Sequence, residues 1–244
     1  MVIFPLADDN TDRRIVPFVN YALLAANIFV FVVLQGLGRN EGFTLAMACV
    51  PREIIEGKDI PIPPREVEHP ITHEKFLIPS PPPTPIPVYF TILTAMFMHG
   101  SFMHLAGNML FLWIFGDNIE DALGHVRYII FYLLGGVLAT LAHIAFNASG
   151  PGSLVPSLGA SGAISAVLGG YLLLFPHRRV RVLLFRIITD VPAIVAIGIW
   201  FLFQLIEGLG MFGGDALGGG VAYAAHIGGF IAGLALVKPF MIGK

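Results

Sequence analysis

The sequence predicts an all-α membrane protein built from six spanning helices, and three observations carry that prediction. Of its 244 residues 56% are hydrophobic and 12% charged, and the mean hydropathy is +0.79. A soluble domain carries about 25% charged and 45–50% apolar residues, so this chain has too few polar groups to cover its own surface. Six apolar stretches approach the ~20 residues that a membrane span requires. Lys and Arg are also spread unevenly over the segments joining those stretches.

The first stretch, residues 15–36, holds no charged residue after Arg14 until Arg39. The second, 102–115, is apolar except for His104 and Asn108. The third covers 126–146, and the fourth, 160–175, is short and bounded by Pro156 and Pro176. The fifth is 191–205 and the sixth 221–237. One membrane domain is thus expected over residues 15–240, behind a short N-terminal segment, 1–14. Between the first two helices lies a long loop, 37–87, that holds most of the prolines, including the run from Pro79 to Pro87. Such a run favours extended backbone and cannot form a helix, so it reads as a spacer or lid edge outside the membrane.

Charge sets the orientation. With the N-terminus in the cytoplasm, the inner segments hold Arg13, Arg14, Arg127, Arg178, Arg179, Arg181, Arg186, Lys238 and Lys244. The outer ones hold Arg39, Arg52, Lys58, Arg65 and Lys75, all in the long loop, and the loops near 147–159 and 208–220 hold none. The cluster from Arg178 to Arg186 decides the matter, because the rule applies best to short loops. A net charge of −2 without a basic run speaks against a nucleic-acid partner. The single cysteine, Cys49, excludes an internal disulfide framework and a cysteine-rich metal site, and is expected simply to pack. The N-terminus does not look like a cleavable signal peptide, and the expected location is a bacterial plasma membrane rather than a mitochondrion.

A polar side chain inside a span costs a few kcal/mol unless satisfied, which makes it a functional candidate. Setting helix ends aside leaves His104, Asn108, His143, Ser161, Ser165 and His226. Five of these lie on helices two, four and six, which small residues allow to meet. Gly162, Ala166 and Gly170 form a stripe on helix four. Gly229 and Gly233 form a GxxxG on helix six, with His226 three residues ahead on the same face. Gly228, about 100° round the helix, should tolerate a side chain better than Gly229.

Ser161, between Ala160 and Gly162 and just after Gly159, begins an apolar helix. It reads as an N-cap or as an accessible nucleophile at a positive helix end. His104 and Asn108 share a face at i, i+4 and can donate hydrogen bonds to each other, to a neighbouring helix or to a shared anion. Zinc is disfavoured, since neither an H-E-x-x-H pattern nor an intramembrane carboxylate accompanies them.

Together His99-x4-His104-x3-Asn108, Gly159-Ala160-Ser161-Gly162 and Ala225-His226-Ile227-Gly228-Gly229-x3-Gly233 resemble the rhomboid family of intramembrane serine proteases. The resemblance spans about residues 16–237, and it implies a rhomboid-like bundle whose short fourth helix is central. It implies Ser161 as nucleophile and His226 as general base, with His104, Asn108 and the Ser161 N–H as oxyanion donors. His99, Gly159, Gly162, Ser165, Gly229 and Gly233 take supporting places. The implied reaction hydrolyses transmembrane protein substrates within the lipid bilayer, with no cofactor and no metal. With Asp190 and Glu207 at helix ends and Asp215 in a loop, a Ser–His dyad is expected rather than a triad.

Two positions depart from the family pattern. A Trp-Arg pair of many members appears here as Phe90-Thr91. Ser165 replaces an aromatic that packs on the histidine, and is expected to hydrogen-bond His226 or a nearby water. Two rival classes are a catalytically inactive rhomboid-like protein that binds transmembrane clients, and a small transporter or channel. The first typically loses the Ser or the His, both present here. The second predicts polar residues from side to side, whereas these cluster on the outer half.

Overall fold

The computed structural model describes residues 3–68, 75–78, 80–208 and 220–242. Pro79, Asp215, Lys244 and nearly all of the loop 208–220 lie outside them. The chain is mostly helical, and each of the six predicted apolar stretches is a helix. α1, Phe18–Phe29, continues as a π-helical turn over Val30–Leu34. Two short helices follow in the long loop, α2 (Glu41–Ala46) and α3 (Pro51–Glu56). The loop also carries a hairpin of β2 (Arg65–Glu68) and β3 (Lys75–Ile78), and the one-turn helix α4, Thr91–Thr94, follows it. Then come α5 (Phe102–Leu123), α6 (His125–Phe146), α7 (Ser161–Leu174), α8 (Ala193–Gly208) and α9 (Gly220–Met241).

Among the described residues, α6 and α9 are long and apolar enough to cross a membrane by themselves. The segment before α5 and α5 itself, bent by 78° at the break, would make a third span. α1, α7 and α8 are apolar but shorter; α7, with 14 residues at ~1.5 Å each, reaches only ~21 Å.

The all-α expectation needs one correction, because a three-stranded antiparallel sheet closes one end of the bundle. Its strands run in the order β1 (Ile3–Asp8), β4 (Arg179–Leu184), β5 (Ile187–Pro192). In β4 the order Arg-Val-Arg-Val puts both valines inward and fully buried, the two-residue period of a strand with one covered face. The N-terminal segment is therefore paired to the α7–α8 connection.

The second helix also outruns its predicted end at Phe115, reaching Leu123 and carrying the buried Asp117 and Glu120. These acids are affordable because each is satisfied. Arg13 pairs with Asp117 at 2.7 Å. The Glu120 carboxylate accepts the N–H groups of Val19 and Asn20 at 2.9 and 2.7 Å. It thus caps the first turn of α1, where N–H groups lack partners and the helix dipole favours negative charge.

Small residues hold α7 at the centre. A Cβ at Gly229 would strike the Gly162 carbonyl, and one at Gly233 the Ala166 carbonyl, so α9 lies backbone to backbone on α7. A Cβ at Gly162 would come 2.8 Å from that of Ala139 on α6. Gly228 departs from expectation: it presses on the Ala142 Cβ of α6, so its face is packed too. Cys49 is fully buried, packed with Ala95 and Ile144.

Candidate active site

Gly159 and the start of α7 bring the site together. Gly159 has φ +126°, and a Cβ there would lie 2.8 Å from His104 Nε2, so glycine alone admits the imidazole. Its N–H is held by the Ala95 carbonyl at 2.8 Å. Ser161 is the first residue of α7, not its N-cap; that position belongs to Ala160, which has no side-chain oxygen to offer the first turn. Instead of capping, the Ser161 hydroxyl lies 2.7 Å from His226 Nε2. The close approach of α7 and α9 makes this distance possible.

The other imidazole nitrogen, Nδ1, is 2.5 Å from the side-chain oxygen of Gln204 on α8. Trp200, one turn before Gln204, lies against the His226 ring at 6.2 Å between centroids. Gln204 was missed by the sequence reading, which ended the fifth helix at 205 and set helix ends aside. The helix continues to Gly208, and Gln204 is buried. A glutamine in an otherwise apolar run is the same signal that singled out the other residues.

His104 and Asn108 stand on α5, whose first turn is capped by Ser101 accepting the His104 N–H at 3.1 Å. Both line a cavity of about 330 Å³ together with Ser161, Gln204 and His226. His99 lies behind them. Gln35 at the end of α1 clamps its backbone, accepting its N–H at 3.0 Å and donating to its carbonyl at 2.8 Å. The His99 ring then meets the Asn108 amide nitrogen at 3.0 Å and the edge of the His104 ring at 5.2 Å between centroids. An amide has two N–H donors, so one can hold His99 while the other addresses the cavity.

Two candidates fall elsewhere. Ser165 does not reach His226: its hydroxyl donates to the Ser161 carbonyl at 2.7 Å, the back-bond to i−4 that a helical serine readily makes. His143 is buried on α6 beside Asn147 rather than lining this cavity. The carboxylates of α5 begin at Asp117, 13 residues and ~20 Å along the helix from His104.

The arrangement offers a hydroxyl against an imidazole, hydrogen-bond donors across the same cavity, and the N-terminus of a helix. A family model described as "Rhomboid domain" matches residues 87–242. The chain is 33% identical over 145 residues to Rhomboid protein 1, mitochondrial, of Saccharomyces cerevisiae, covering 59% of this chain and 40% of that protein. It is 32% identical over 148 residues to Presenilin-associated rhomboid-like protein A, mitochondrial, of Danio rerio, covering 59% and 35%. To Rhomboid protease GluP of Bacillus subtilis it is 33% identical over 153 residues, covering 62% and 27%. The match thus spans well under half the length of each relative. It extends to mitochondrial and bacterial proteins alike, wider than the bacterial setting expected from the sequence.

Proposed function

The chain belongs to the rhomboid family of membrane proteins, and from that premise we propose that it is an intramembrane serine endopeptidase acting on transmembrane protein substrates. The observation that carries this reading is the Ser161 hydroxyl 2.7 Å from His226 Nε2, in one cavity with His104 and Asn108. His226 Nε2 takes the hydroxyl proton as Ser161 Oγ attacks the scissile carbonyl carbon. The carbonyl oxygen becomes an oxyanion, which His104, Asn108 and the Ser161 N–H stabilise by donating to it. The imidazolium then protonates the leaving amine, and the peptide C–N bond breaks. Water, deprotonated by His226, releases the acyl group and restores Ser161. A helix N-terminus at the reacting carbon favours the developing negative charge.

The same reading makes the chain a multi-pass protein of six membrane-associated helices. Its sheet end, with Arg13, Arg178 and Arg181, faces the cytoplasm. The site, at the opposite end of α7, faces outward with the Pro-rich loop.

A fluorophosphonate probe on the detergent-solubilised protein tests the proposal. Wild type and a Ser157→Ala control, at a residue before α7 whose backbone pairs with Cys49, should label and cleave a transmembrane reporter, and Ser161→Ala should do neither. Labelling that survives Ser161→Ala, or a folded wild type that never labels, would overturn it; in the latter case retained binding of a transmembrane client would favour the inactive client-binding reading.

A further inference from the structure

We propose that Gln204 is the positioning residue of the site, its side-chain carbonyl accepting the Nδ1–H of His226; this rests on the hydrolase reading above. The geometry supplies the argument. Imidazole has two nitrogens, and a neutral ring can accept the Ser161 proton at Nε2 only if its own proton sits on Nδ1. Ser161 occupies Nε2 at 2.7 Å, and the Gln204 oxygen occupies Nδ1 at 2.5 Å. An acceptor at Nδ1 fixes the proton there and leaves the Nε2 lone pair facing the hydroxyl. Together the two contacts also stop the ring from turning about its χ2 axis, and Trp200 lies against it from the same helix.

The choice of an amide follows from the surroundings. Gln204 is buried within an apolar helix, where an ionised carboxylate costs several kcal/mol. The neutral carbonyl dipole orients the imidazole at lower cost and still favours the positive charge that appears on it during attack. Ser165, at the family's aromatic position, is turned away to the Ser161 carbonyl. The polar contact that orients His226 therefore comes from α8, with the rings of Trp200 and, on its own helix, Tyr223 beside it at 6.2 and 6.3 Å between centroids.

The test separates an acceptor from a packing residue. Gln204→Met keeps size and apolar fit but lacks a strong acceptor. Gln204→Glu keeps an oxygen acceptor, ionised or not, and loses the amide donor. With the full-length protein in detergent, Gln204→Met should lower kcat on a transmembrane reporter and the rate of fluorophosphonate labelling by about 10²-fold, the lower end of what general-base catalysis supplies. KM should stay within about twofold, and Gln204→Glu should recover most of the loss. A packing role predicts the reverse, with Met tolerated and Glu damaging.

A folded Gln204→Met that reacts at the wild-type rate would overturn the proposal. So would a folded Gln204→Glu as slow as Gln204→Met. A direct reading needs no variant to fold around a new side chain at 204. In ¹⁵N-histidine-labelled wild type, with the His226 signal identified by its loss in His226→Ala, the neutral ring should be the Nδ1–H tautomer; an Nε2–H tautomer would overturn the role. Failure of the wild type to label or cleave would instead remove the hydrolase reading, and this role with it.

Discussion

At the scale of single residues, chemistry and packing can be separated by substitution. Ser161→Ala and His226→Ala should each abolish cleavage of a transmembrane reporter, and the double variant should be no worse, because groups that act as one unit are not additive. Rates measured for all four proteins decide this, since a multiplicative loss would mean that the two do not cooperate. Asn108→Ala should lower kcat by about 10²-fold with KM little changed, as expected for a donor to charge that appears only in the transition state. Because the Asn108 amide also holds His99, a thermal melt should accompany that measurement, and a rise in KM at constant kcat would reassign Asn108 to substrate binding. His104, Asn108 and His226 were legible in the sequence because each interrupts an apolar run, and Ser161, at the start of its run, because Gly159 and Gly162 stand around it. Their partners were not legible. That Asn108 meets His99, and that Ser165 turns to the Ser161 carbonyl instead of His226, depends on side-chain directions that spacing does not encode.

At the scale of elements, the close contact of α9 with α7 sets the distance between the His226 imidazole and the Ser161 hydroxyl. Gly229→Val would push three carbons into the Gly162 carbonyl, and overpacking of this kind costs about 1–3 kcal/mol. A shift of ~1 Å in the catalytic groups can lower a rate by about 10²-fold. Gly229→Val should therefore lose both thermal stability and activity, although it removes no reacting group. Gly228→Val should also be destabilising, since the Ala142 Cβ stands in its way. It presses on α6 rather than α7, so activity measured on the folded fraction should suffer less. Equal activity of wild type and Gly229→Val would disconnect helix packing from the Ser161–His226 distance. The six helices could be read from apolar runs because each run is broken by Pro, Gly or charge. The sheet could not, because β1 and β4 are six-residue strands, 171 residues apart between Asp8 and Arg179, and a short alternating run carries no mark of a partner so distant. The far end of α5 was hidden as well: Asp117, Glu120 and Asp121 look like a loop until Arg13 and the N-terminus of α1 are seen to satisfy them.

At the scale of the whole molecule, α7 connects two polar centres in a chain otherwise wrapped in apolar surface, with Phe18, Phe29, Trp113, Ile130 and Phe146 exposed around it. The Ser161–His226 pair, the proposed reactive centre, lies at its first residue and the second centre at its last turn. There Tyr171 donates to Asp8 Oδ2 at 2.7 Å and Asn118 of α5 donates to the same oxygen at 2.6 Å. Arg178 holds Asn118 and, at 2.6 Å, Asp12. Asp8 thereby ties the N-terminal strand to α5, α7 and the α7–α8 connection. Burial raises its carboxyl from 3.8 to about 7; the Tyr171 hydrogen bond opposes the rise, Asp117 adds to it and Arg178 opposes it. Between about pH 4 and pH 7 the folded chain thus keeps a proton that the unfolded chain has released, so stability falls as pH rises through that window. The contribution is complete below the unfolded value and gone above the folded one. Asp8→Asn, neutral at every pH and still able to hydrogen-bond, should flatten this dependence. From pH 5 to pH 8 the wild type should lose about 5–10 °C more Tm than the variant, which is about 2.7 kcal/mol of linkage on a scale of ~2–4 °C per kcal/mol for a chain of this size. Melting both proteins across that range checks the linkage. Parallel losses would show that Asp8 is already ionised at pH 5 and that its contacts, rather than its proton, hold the strand in place.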